Sequence, residues 1–322
     1  MVRCPACQGR LDLAVAAEAD GEVEEGTLTC AGCAASFPIL RSIPRFVPVD
    51  SYSGSFGFQW NRFRRTQLDS HTGLPLSRDR LLFSSGWDER ELAGRRVIDI
   101  GCGAGRFAEA ALAMGAEVVA LDYSSAVEAT YANLAPHPRL HVVQGDVYSL
   151  PFPPETFDFA YCLGVLQHTP DVRRSFVSIP PLVKKGGGVA VDVYYKMALN
   201  ILWPKYWLRP VTRMIPRERL FPFVERLVDV LLPVSRAVAR IPVVGRKLRW
   251  AVPVANHELD FPLSPEQVHE WAVLNTYDML APAHDHPQDA PTLTRWFTEA
   301  GLESVRVFRR GHLIGQGRRP ER

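Results

Sequence analysis

Residues 97–105 decide the fold of this chain, and they read Val-Ile-Asp-Ile-Gly-Cys-Gly-Ala-Gly. An apolar run that breaks into alternating glycines indicates a buried strand followed by a tight loop. Residues 106–114 are rich in alanine and are followed by Gly115, which predicts a helix that ends in a left-handed cap. Because free backbone amides at a helix start attract anions, this strand, loop and helix are expected to bind a ligand with an anionic group.

A second acidic residue follows the next strand at a spacing that favours a nucleoside. The strand predicted over residues 117–121 ends in Asp122, which lies 21 residues after Gly101. Nucleotide-binding units place the acid that holds the ribose hydroxyls at about this position. The dinucleotide pattern needs a third glycine where this chain has Arg106, and Asp99 would repel a pyrophosphate but suits an ammonium group. The spacing therefore favours S-adenosylmethionine over NAD.

Residues 95–195 resemble the class I S-adenosylmethionine-dependent methyltransferases, because residues 99–105 match their first motif, acidic-x-Gly-x-Gly-x-Gly. The resemblance implies an α/β fold with a Rossmann-like doubly wound sheet. It also implies that Asp99 and the glycine loop hold the methionine end of the cofactor, that Asp122 binds the ribose and that Asp146 binds the adenine amine. The cofactor-binding residues implied in this way are Asp99, Gly101, Gly103, Gly105, Asp122, Asp146, Val147 and Leu163.

Strands and helices alternate downstream of the glycine loop, as a doubly wound sheet requires. Ser124 is expected to cap the helix after the second strand. The pair Pro180-Pro181 predicts that the helix before the fifth strand ends near Ser178. The third, fourth and fifth strands are predicted over residues 140–143, 157–162 and 189–195.

The loop after the fourth strand, residues 163–171, carries His168 at a place where ligands bind in such sheets. A Leu-x-x-His pattern here is common in the resembled superfamily. His168 is therefore the candidate catalytic residue, as a general base, and the alternative is that it fixes the loop through a hydrogen bond. Cys102 and Cys162 are expected to pack at strand ends rather than react.

Charge is distributed unevenly along the 322 residues. Residues 196–250 contain twelve Lys and Arg against three acids, a net charge of +9, whereas the whole chain carries only +2. This segment is therefore a basic insertion in an otherwise acidic chain. Because the N-terminus has no apolar signal core and no apolar run is long enough to span a bilayer, we expect a cytoplasmic location, with membrane association as an open alternative.

Two C-x-x-C motifs predict a zinc ribbon over residues 1–50. Cys4 and Cys7 form one pair, Cys30 and Cys33 form the other, and 22 residues separate the pairs. Four thiolates with this spacing suit a tetrahedral structural zinc ion, and the alternatives are a redox pair or free thiols. The segment resembles the small zinc-ribbon protein that elsewhere activates tRNA, rRNA and protein methyltransferases as a separate subunit. The resemblance implies a structural or docking role, because a closed four-cysteine site leaves the metal no open position.

Residues 51–94 are predicted to form a linker followed by helices that cover the cofactor. Their aromatic part carries Gln59, Trp60 and Arg64, which would reach the cofactor from a helix before the first strand of the sheet. The alternative is a helix that docks on the zinc ribbon through the same aromatic residues.

The helical insertion after the fifth strand, residues 196–255, begins with Trp203, Tyr206 and Trp207. Apolar residues then recur at helical spacing over residues 220–232. Such helices would roof the substrate pocket, lie on an anionic membrane surface, bind RNA or merely pack on the sheet, and the clumped aromatic residues disfavour RNA. Prolines are expected to cut the insertion into short helices. They are Pro204, Pro210, Pro216, Pro222, Pro233 and Pro242.

The last segment, residues 256–322, is expected to complete the methyltransferase domain. It carries a polar stretch, residues 275–288, with Asp278, His284, Asp285 and His286. This stretch is predicted to face the substrate, and a metal site is disfavoured because no third ligand has suitable spacing. Antiparallel strands that close the sheet are predicted over residues 302–308 and 312–316.

These observations predict an S-adenosylmethionine-dependent methyltransferase with a structural zinc ion. A small-molecule or lipid-like acceptor is the favoured substrate, and peripheral membrane contact through residues 196–250 is one expected interaction. One alternative is an rRNA or tRNA methyltransferase that uses its ribbon for RNA recognition. The other is a non-catalytic regulator that binds the cofactor.

Overall fold

The structure is a computed structural model. The residues that it describes are 1–19, 21–47, 54–197 and 204–322. The first residues of the predicted linker, 51–53, and the expected first aromatic residue of the insertion, Trp203, lie outside these ranges.

The N-terminal ribbon is a four-stranded antiparallel sheet in which consecutive strands are neighbours. One cysteine pair precedes the first strand, and the other frames the turn that follows the second strand. The strands are β1 (Leu11–Ala19), β2 (Glu22–Cys30), β3 (Ser36–Leu40) and β4 (Ile43–Pro44).

The main sheet contains seven strands of the described chain, in the order β10-β11-β9-β8-β5-β6-β7. Strands β5 to β9 run parallel, and β11 is antiparallel to both of its neighbours. The strands are β5 (Arg96–Ile100), β6 (Glu117–Asp122), β7 (Leu140–Gln144), β8 (Phe157–Leu163), β9 (Val183–Val193), β10 (Glu303–Arg310) and β11 (His312–Arg318). The predicted doubly wound sheet, with its antiparallel closing strands, is confirmed.

The chain leaves β5 toward β6 and β7, and then returns to add β8 and β9 on the other side. This reversal creates a topological switch point between β5 and β8, where open α/β sheets bind ligands. The helices are α1 (Gly54–Arg62), α2 (Asp69–Thr72), α3 (Leu76–Ser85), α4 (Glu89–Leu92), α5 (Arg106–Ala113), α6 (Val127–Leu134), α7 (Val172–Val177), α8 (Pro204–Thr212), α9 (Arg217–Ala239), α10 (Gly245–Leu248), α11 (Pro265–Leu280) and α12 (Ala290–Glu299).

The central strands are buried on both faces, which explains their continuous apolar sequences. Val97 of β5 packs with α3 and α5 on one face, and the next residue, Ile98, packs toward the ribbon and α7 on the other. Both side chains are fully buried. Successive residues of a strand point to opposite faces, so both faces of β5 are packed at this point, and the next residue, Asp99, is an acid buried within the sheet.

Strand β9 begins six residues earlier than predicted, at Val183 instead of residue 189. Three consecutive glycines, residues 186–188, lie inside this longer strand. A Cβ atom on Gly187 would lie 2.3 Å from the carbonyl oxygen of Asp158, and one on Gly188 would lie 2.6 Å from Trp87. The glycines therefore allow close packing within the sheet rather than ending it.

Two predicted helix boundaries had different outcomes. Helix α7 ends at Val177 with Ser178 as its C-terminal cap, as the proline pair predicts. Helix α6 starts only at Val127, so the expectation that Ser124 is its N-cap is wrong. The Ser124 hydroxyl instead donates to Asp122 at 2.7 Å and accepts from the amide of Ala126.

The expectation that prolines cut the insertion into short helices is wrong for α9, which spans 23 residues with Pro222 and Pro233 inside it. A proline inside a helix costs about 3 kcal/mol, because it lacks a donor and clashes with the preceding turn. The inner face of α9 offsets this cost, since each fully buried apolar side chain contributes about 1.5–3 kcal/mol. Its buried apolar residues include Leu220, Phe221, Val224, Val228 and Leu232.

The ribbon packs along the edge strand β7 of the main sheet. Arg45 forms a parallel bridge with Gln144, and the amide of Phe46 donates to the Gln144 carbonyl at 2.8 Å. The amide of Arg3 donates to the carbonyl of Pro151, in the loop after β7. The ribbon thereby covers an edge that would otherwise present unpaired backbone groups.

In the described part of the chain, none of the helices combines the length and the apolar character that crossing a bilayer requires.

Candidate active site

A cavity of about 230 Å³ lies at the switch point, at the carboxyl ends of four parallel strands. Its wall comes from the loops after β5, β6, β7 and β8, with further side chains from α1 and α11. The residues that these four loops contribute are Gly101, Cys102, Gly103, Ala104, Asp122, Tyr123, Gly145, Asp146, Val147, Leu163, Gly164, Val165, His168 and Thr169.

The glycine loop approaches its neighbours too closely to carry side chains. Gly101 has φ +81°, and a Cβ atom there would lie 2.4 Å from the side chain of Val165. The ring of Trp60 lies 3.1 Å from the Cβ position of Gly103. Gly105, the third glycine of the motif, precedes α5 in a left-handed conformation. The loop therefore presents bare backbone to the cavity.

Asp122 lies at the end of β6 and lines the cavity. Its carboxylate accepts hydrogen bonds from the amide of Gly103 at 3.0 Å and from the amide of Ser124 at 2.8 Å. Burial raises the pKa of this carboxyl, and the hydrogen bonds oppose that rise. Asp122 thus links the glycine loop to the end of the neighbouring strand and also lines the cavity.

The loop after β7 brings two further predicted residues to the cavity. Asp146 accepts a hydrogen bond from the amide of Tyr148 at 2.9 Å, which fixes its carboxylate at the wall. Val147 adjoins it, and Leu163 lies opposite at the end of β8. An acid beside two apolar side chains suits a flat heterocycle that carries an amine.

Asp99 is fully buried, and the wall formed by the described residues does not include it. Neither of its carboxylate oxygens has a hydrogen-bond partner within the described chain. Burial raises the pKa of this carboxyl to about 8, and the negative charge of Asp122 adds to the rise. A buried acid without partners is costly, so a cationic group near the glycine loop would stabilise its charged form.

Two arginines at the cavity were not identified from the sequence as binding residues. Arg106 donates to Gln67 at 2.6 Å and to Ser77 at 3.1 Å, and no acid in the described chain forms an ion pair with it. Burial lowers its pKa to about 9, and the charge of Arg80 lowers it further. Arg80 itself pairs with the buried Asp192 at 2.7 Å. Arg106 is therefore a cation with which a carboxylate ligand could pair. In the sequence, its binding role is indicated only by its position, where the dinucleotide pattern has a third glycine.

His168 lines the same cavity, between the rings of Phe56 and Tyr194, whose centroids lie 5.2 and 5.3 Å away. Its Nδ1 lies 3.0 Å from the carbonyl oxygen of His284, so Nδ1 carries the proton and Nε2 keeps a free lone pair. Burial lowers the pKa of His168, against the opposing charge of Asp278. The imidazole is therefore neutral at pH 7 and can accept a proton through Nε2.

A second histidine, His312, also lines the cavity from the start of β11. Burial lowers its pKa to about 4. A group of that basicity is a poor proton acceptor at neutral pH. His168 is therefore the better candidate base of the two.

The polar stretch predicted to face the substrate does so only in its first part. Asn275 and Asp278 line the cavity from α11, whereas none of His284, Asp285 and His286 belongs to the wall formed by the described residues. The amide of His286 donates to the carbonyl of Gln167, so backbone contacts hold this stretch against the histidine turn. Asp285 forms ion pairs with two insertion residues of α8, Lys205 and Arg209.

Helix α1 covers the cavity, as one of the two alternatives for this segment predicts. Gln59 and Trp60 line the wall, whereas Arg64 donates to the carbonyl of Ala132 and does not reach it. Phe58 packs on Phe221 of α9, with ring centroids 5.4 Å apart. The described parts of the insertion, residues 196–197 and 204–255, contribute no side chain to this wall, so the wall gives no support to the alternative that the insertion roofs the pocket.

The four cysteines of the ribbon converge as a metal site requires. Their sulfur atoms all lie within 4.8 Å of one another, with Cys4 to Cys33 at 3.6 Å and Cys7 to Cys30 at 3.4 Å. A tetrahedral site with zinc–sulfur bonds of about 2.3 Å has sulfur–sulfur edges of about 3.8 Å. The donor set and spacing therefore suit a structural zinc ion that leaves no position for substrate.

Zinc is expected at one ion per chain. Removing it with a chelator should lower the melting temperature, because four-cysteine sites supply much of the folding free energy of small ribbons. Atomic absorption of protein purified without chelator measures the content, and calorimetry follows the melting. Re-addition of zinc, but not of magnesium, should restore the original melting temperature, and a zinc content near zero would contradict the assignment.

The chain has the Rossmann-like fold of a methyltransferase domain, joined to an N-terminal ribbon whose four cysteines are compatible with a structural zinc ion. Residues 98–191 match the family described as a methyltransferase domain, and residues 1–41 match the family described as Trm112p-like protein.

Curated relatives share the central part of the chain. The ubiquinone biosynthesis O-methyltransferase of Thiobacillus denitrificans is 31% identical over 130 residues, which cover 39% of this chain and 56% of that protein. The mitochondrial ubiquinone biosynthesis O-methyltransferase of Schizosaccharomyces pombe is 32% identical over 129 residues, which cover 38% and 47%. This chain thus spans about half the length of the curated relatives that it matches.

Solved methyltransferase structures are similar at low sequence identity. An S-adenosylmethionine-dependent methyltransferase from Mesorhizobium loti has 20% identity and a TM-score of 0.41, over 71% of this chain and 93% of that chain. Human N-acetylserotonin methyltransferase, in complex with its cofactor, has 13% identity and a TM-score of 0.42, over 84% and 57%.

Proposed function

We propose that this protein transfers a methyl group from S-adenosylmethionine to a hydroxyl of a small-molecule acceptor. The observation that carries the proposal is that His168, with a free Nε2, lines the same cavity as the glycine loop. The matched methyltransferase domain supports the cofactor, and relatives named as O-methyltransferases support a hydroxyl acceptor.

Residues of the cavity wall suit each part of the cofactor. The Asp122 carboxylate would accept from the ribose hydroxyls, and Asp146 would accept from the adenine amine. Arg106 would hold the methionine carboxylate, while Asp99 beneath the loop would favour the ammonium group. When bound, the cofactor supplies a methyl group that is already activated as a sulfonium. Positioning can therefore provide much of the rate acceleration.

The chain's own chemical task is to orient the acceptor and remove its proton. A hydroxyl placed against Nε2 of His168 would pass its proton to the imidazole, while Nδ1–H keeps its bond to the carbonyl of His284. The imidazolium so formed is stabilised by the nearby charges of Asp278 and Asp285. General base catalysis of this kind contributes about 10²–10⁴ to the rate.

The aromatic side chains of Phe56, Trp60 and Tyr194 give the acceptor side of the cavity an apolar character. An aromatic or lipid-like acceptor fits such a wall.

We also propose that the protein works in the cytoplasm in peripheral contact with a membrane through residues 196–250.

Calorimetry with S-adenosylmethionine, followed by a radiolabelled methyl-transfer assay on a panel of phenols and catechols, tests this function. We expect saturable cofactor binding and label in an ether product that acid does not hydrolyse. Binding without transfer to any acceptor of the panel would favour the alternative of a non-catalytic regulator. Absence of binding would overturn the proposal altogether.

A further inference from the structure

Helix α9 has two apolar faces, and only one of them is used inside the protein. Its inner face packs against α11 and α1, where Phe221 contacts Tyr277 and Phe58 with ring centroids 5.8 and 5.4 Å apart. A helix with one buried stripe normally carries polar residues on the opposite side. The outer face of α9 does not follow that rule.

The outer face is a stripe of apolar and basic residues at intervals of three or four, which places them in one row along the helix. Phe223 is 50% exposed and Val230 is 68% exposed. The turn that follows continues the apolar character, because Val243 is fully exposed. The stripe consists of Arg219, Phe223, Arg226, Val230, Val234, Ala237 and Ile241. The 23 residues of α9 make this outer stripe about 35 Å long.

The charges on this helix favour an anionic partner. Arg219, Arg226 and Arg240 are exposed, and none of them forms an ion pair in the described chain. Two of the three acids of α9 pair with arginines, Glu218 with Arg217 and Glu225 with Arg62 of α1. The third acid, Asp229, lies 2.8 Å from Nε2 of His269. The outer stripe is therefore both apolar and positively charged.

We propose that this outer stripe is a docking surface for an anionic lipid bilayer. Apolar side chains would enter the boundary between headgroups and acyl chains, while the arginines reach the lipid phosphates. A second copy of this chain is a poorer partner, because two stripes of the same positive charge would repel each other. The inference rests on the proposed membrane contact, which it assigns to one face of α9, and it does not depend on the proposed methyl transfer.

Bilayer docking would also fix the orientation of the cavity. Phe221 lies on the inner face of α9 and contacts Phe58 of α1, the helix whose Phe56 and Trp60 cover the cavity. The outer stripe is thus one helix layer away from the cavity cover.

Vesicle sedimentation with the full-length protein tests this surface. Vesicles of phosphatidylcholine alone are compared with vesicles that also contain phosphatidylglycerol. We expect retention only on the anionic vesicles, and we expect it to fall as salt is raised. The double variant Phe223→Asp/Val230→Asp should lower the partition coefficient at least about tenfold. Arg226→Gln should lower it about fivefold, because each basic residue near an anionic surface contributes about 1 kcal/mol.

Leu13→Asp is the matched control, because Leu13 is also 50% exposed but lies in the ribbon. It should bind vesicles as the unmodified protein does. Melting temperature and S-adenosylmethionine affinity are measured on every variant, so that misfolding or loss of the cofactor site is seen separately. Equal retention of the double variant and the unmodified protein would overturn the proposal. So would lipid-free dimerisation, in analytical ultracentrifugation, that the double variant abolishes.

Discussion

Replacing Asp122 by alanine is expected to weaken the binding of S-adenosylmethionine by at least about 100-fold, because two charge-assisted hydrogen bonds to the ribose are lost. The same change leaves the amide of Gly103 without its acceptor, because this amide donates a hydrogen bond to the Asp122 carboxylate at 3.0 Å. The glycine loop would therefore lose an anchor in addition to the ligand contact. Calorimetry measures the affinity, and circular dichroism checks that the fold is retained.

The variant Ser124→Ala is a control for the loop contribution. It removes the hydroxyl that donates to Asp122 but keeps the amide of Ser124, which also donates to that carboxylate. We expect it to weaken cofactor binding less than about tenfold. An S-adenosylhomocysteine analogue without ribose hydroxyls then isolates the direct contact. The unmodified protein should discriminate against this analogue, and Asp122→Ala should not. Unchanged discrimination would show that Asp122 does not bind the ribose.

The succession of strands along the chain and the position of the glycine loop could be predicted because local sequence determines them. Residues 97–105 change from an apolar run to alternating glycines, a pattern typical of a strand followed by a tight turn. Asp122 and Asp146 each come at or after the end of an apolar strand. In a parallel sheet the carboxyl ends of strands meet at one edge. Residues far apart in sequence could therefore be expected at one cavity.

Contacts that depend on tertiary packing could not be predicted in this way. The pair Arg80–Asp192 joins residues 112 positions apart, and the carbonyl of His284 that fixes His168 lies 116 positions away. Nothing in the sequence next to Arg80 or His168 indicates these distant partners. The breaks expected at Pro222 and Pro233 are absent for the same reason, because the burial that holds α9 together comes from α11, which follows it by more than twenty residues.

Replacing His168 by glutamine is expected to reduce kcat for a neutral phenol acceptor about 10²–10⁴-fold, while the affinity for S-adenosylmethionine stays unchanged. Glutamine can still donate to the carbonyl of His284, but it cannot accept a proton. A radiolabelled methyl-transfer assay gives kcat, and calorimetry gives the cofactor affinity. His312→Gln is the matched control, and it should have a much smaller effect, because His312 is already a poor base with a pKa of about 4.

The dependence on pH follows from the lowered pKa of His168. A general base works in its neutral form, so kcat should be constant above pH 6.5 and should fall only as the solution is acidified through a pKa below that ordinary value. His168→Gln should lose this acidic limb. A profile that instead falls above neutral pH would mean that a protonated group, not a neutral imidazole, is required.

An acceptor that needs no base separates proton removal from a merely structural role. A nitrophenol that is already ionised at the pH of the assay should be methylated by His168→Gln within about tenfold of the rate of the unmodified protein, because no proton remains to be removed. Loss of activity on the neutral phenol alone would then locate the defect in proton transfer. Equal loss on both acceptors would show that His168 only holds the loop, through its bond to the carbonyl of His284.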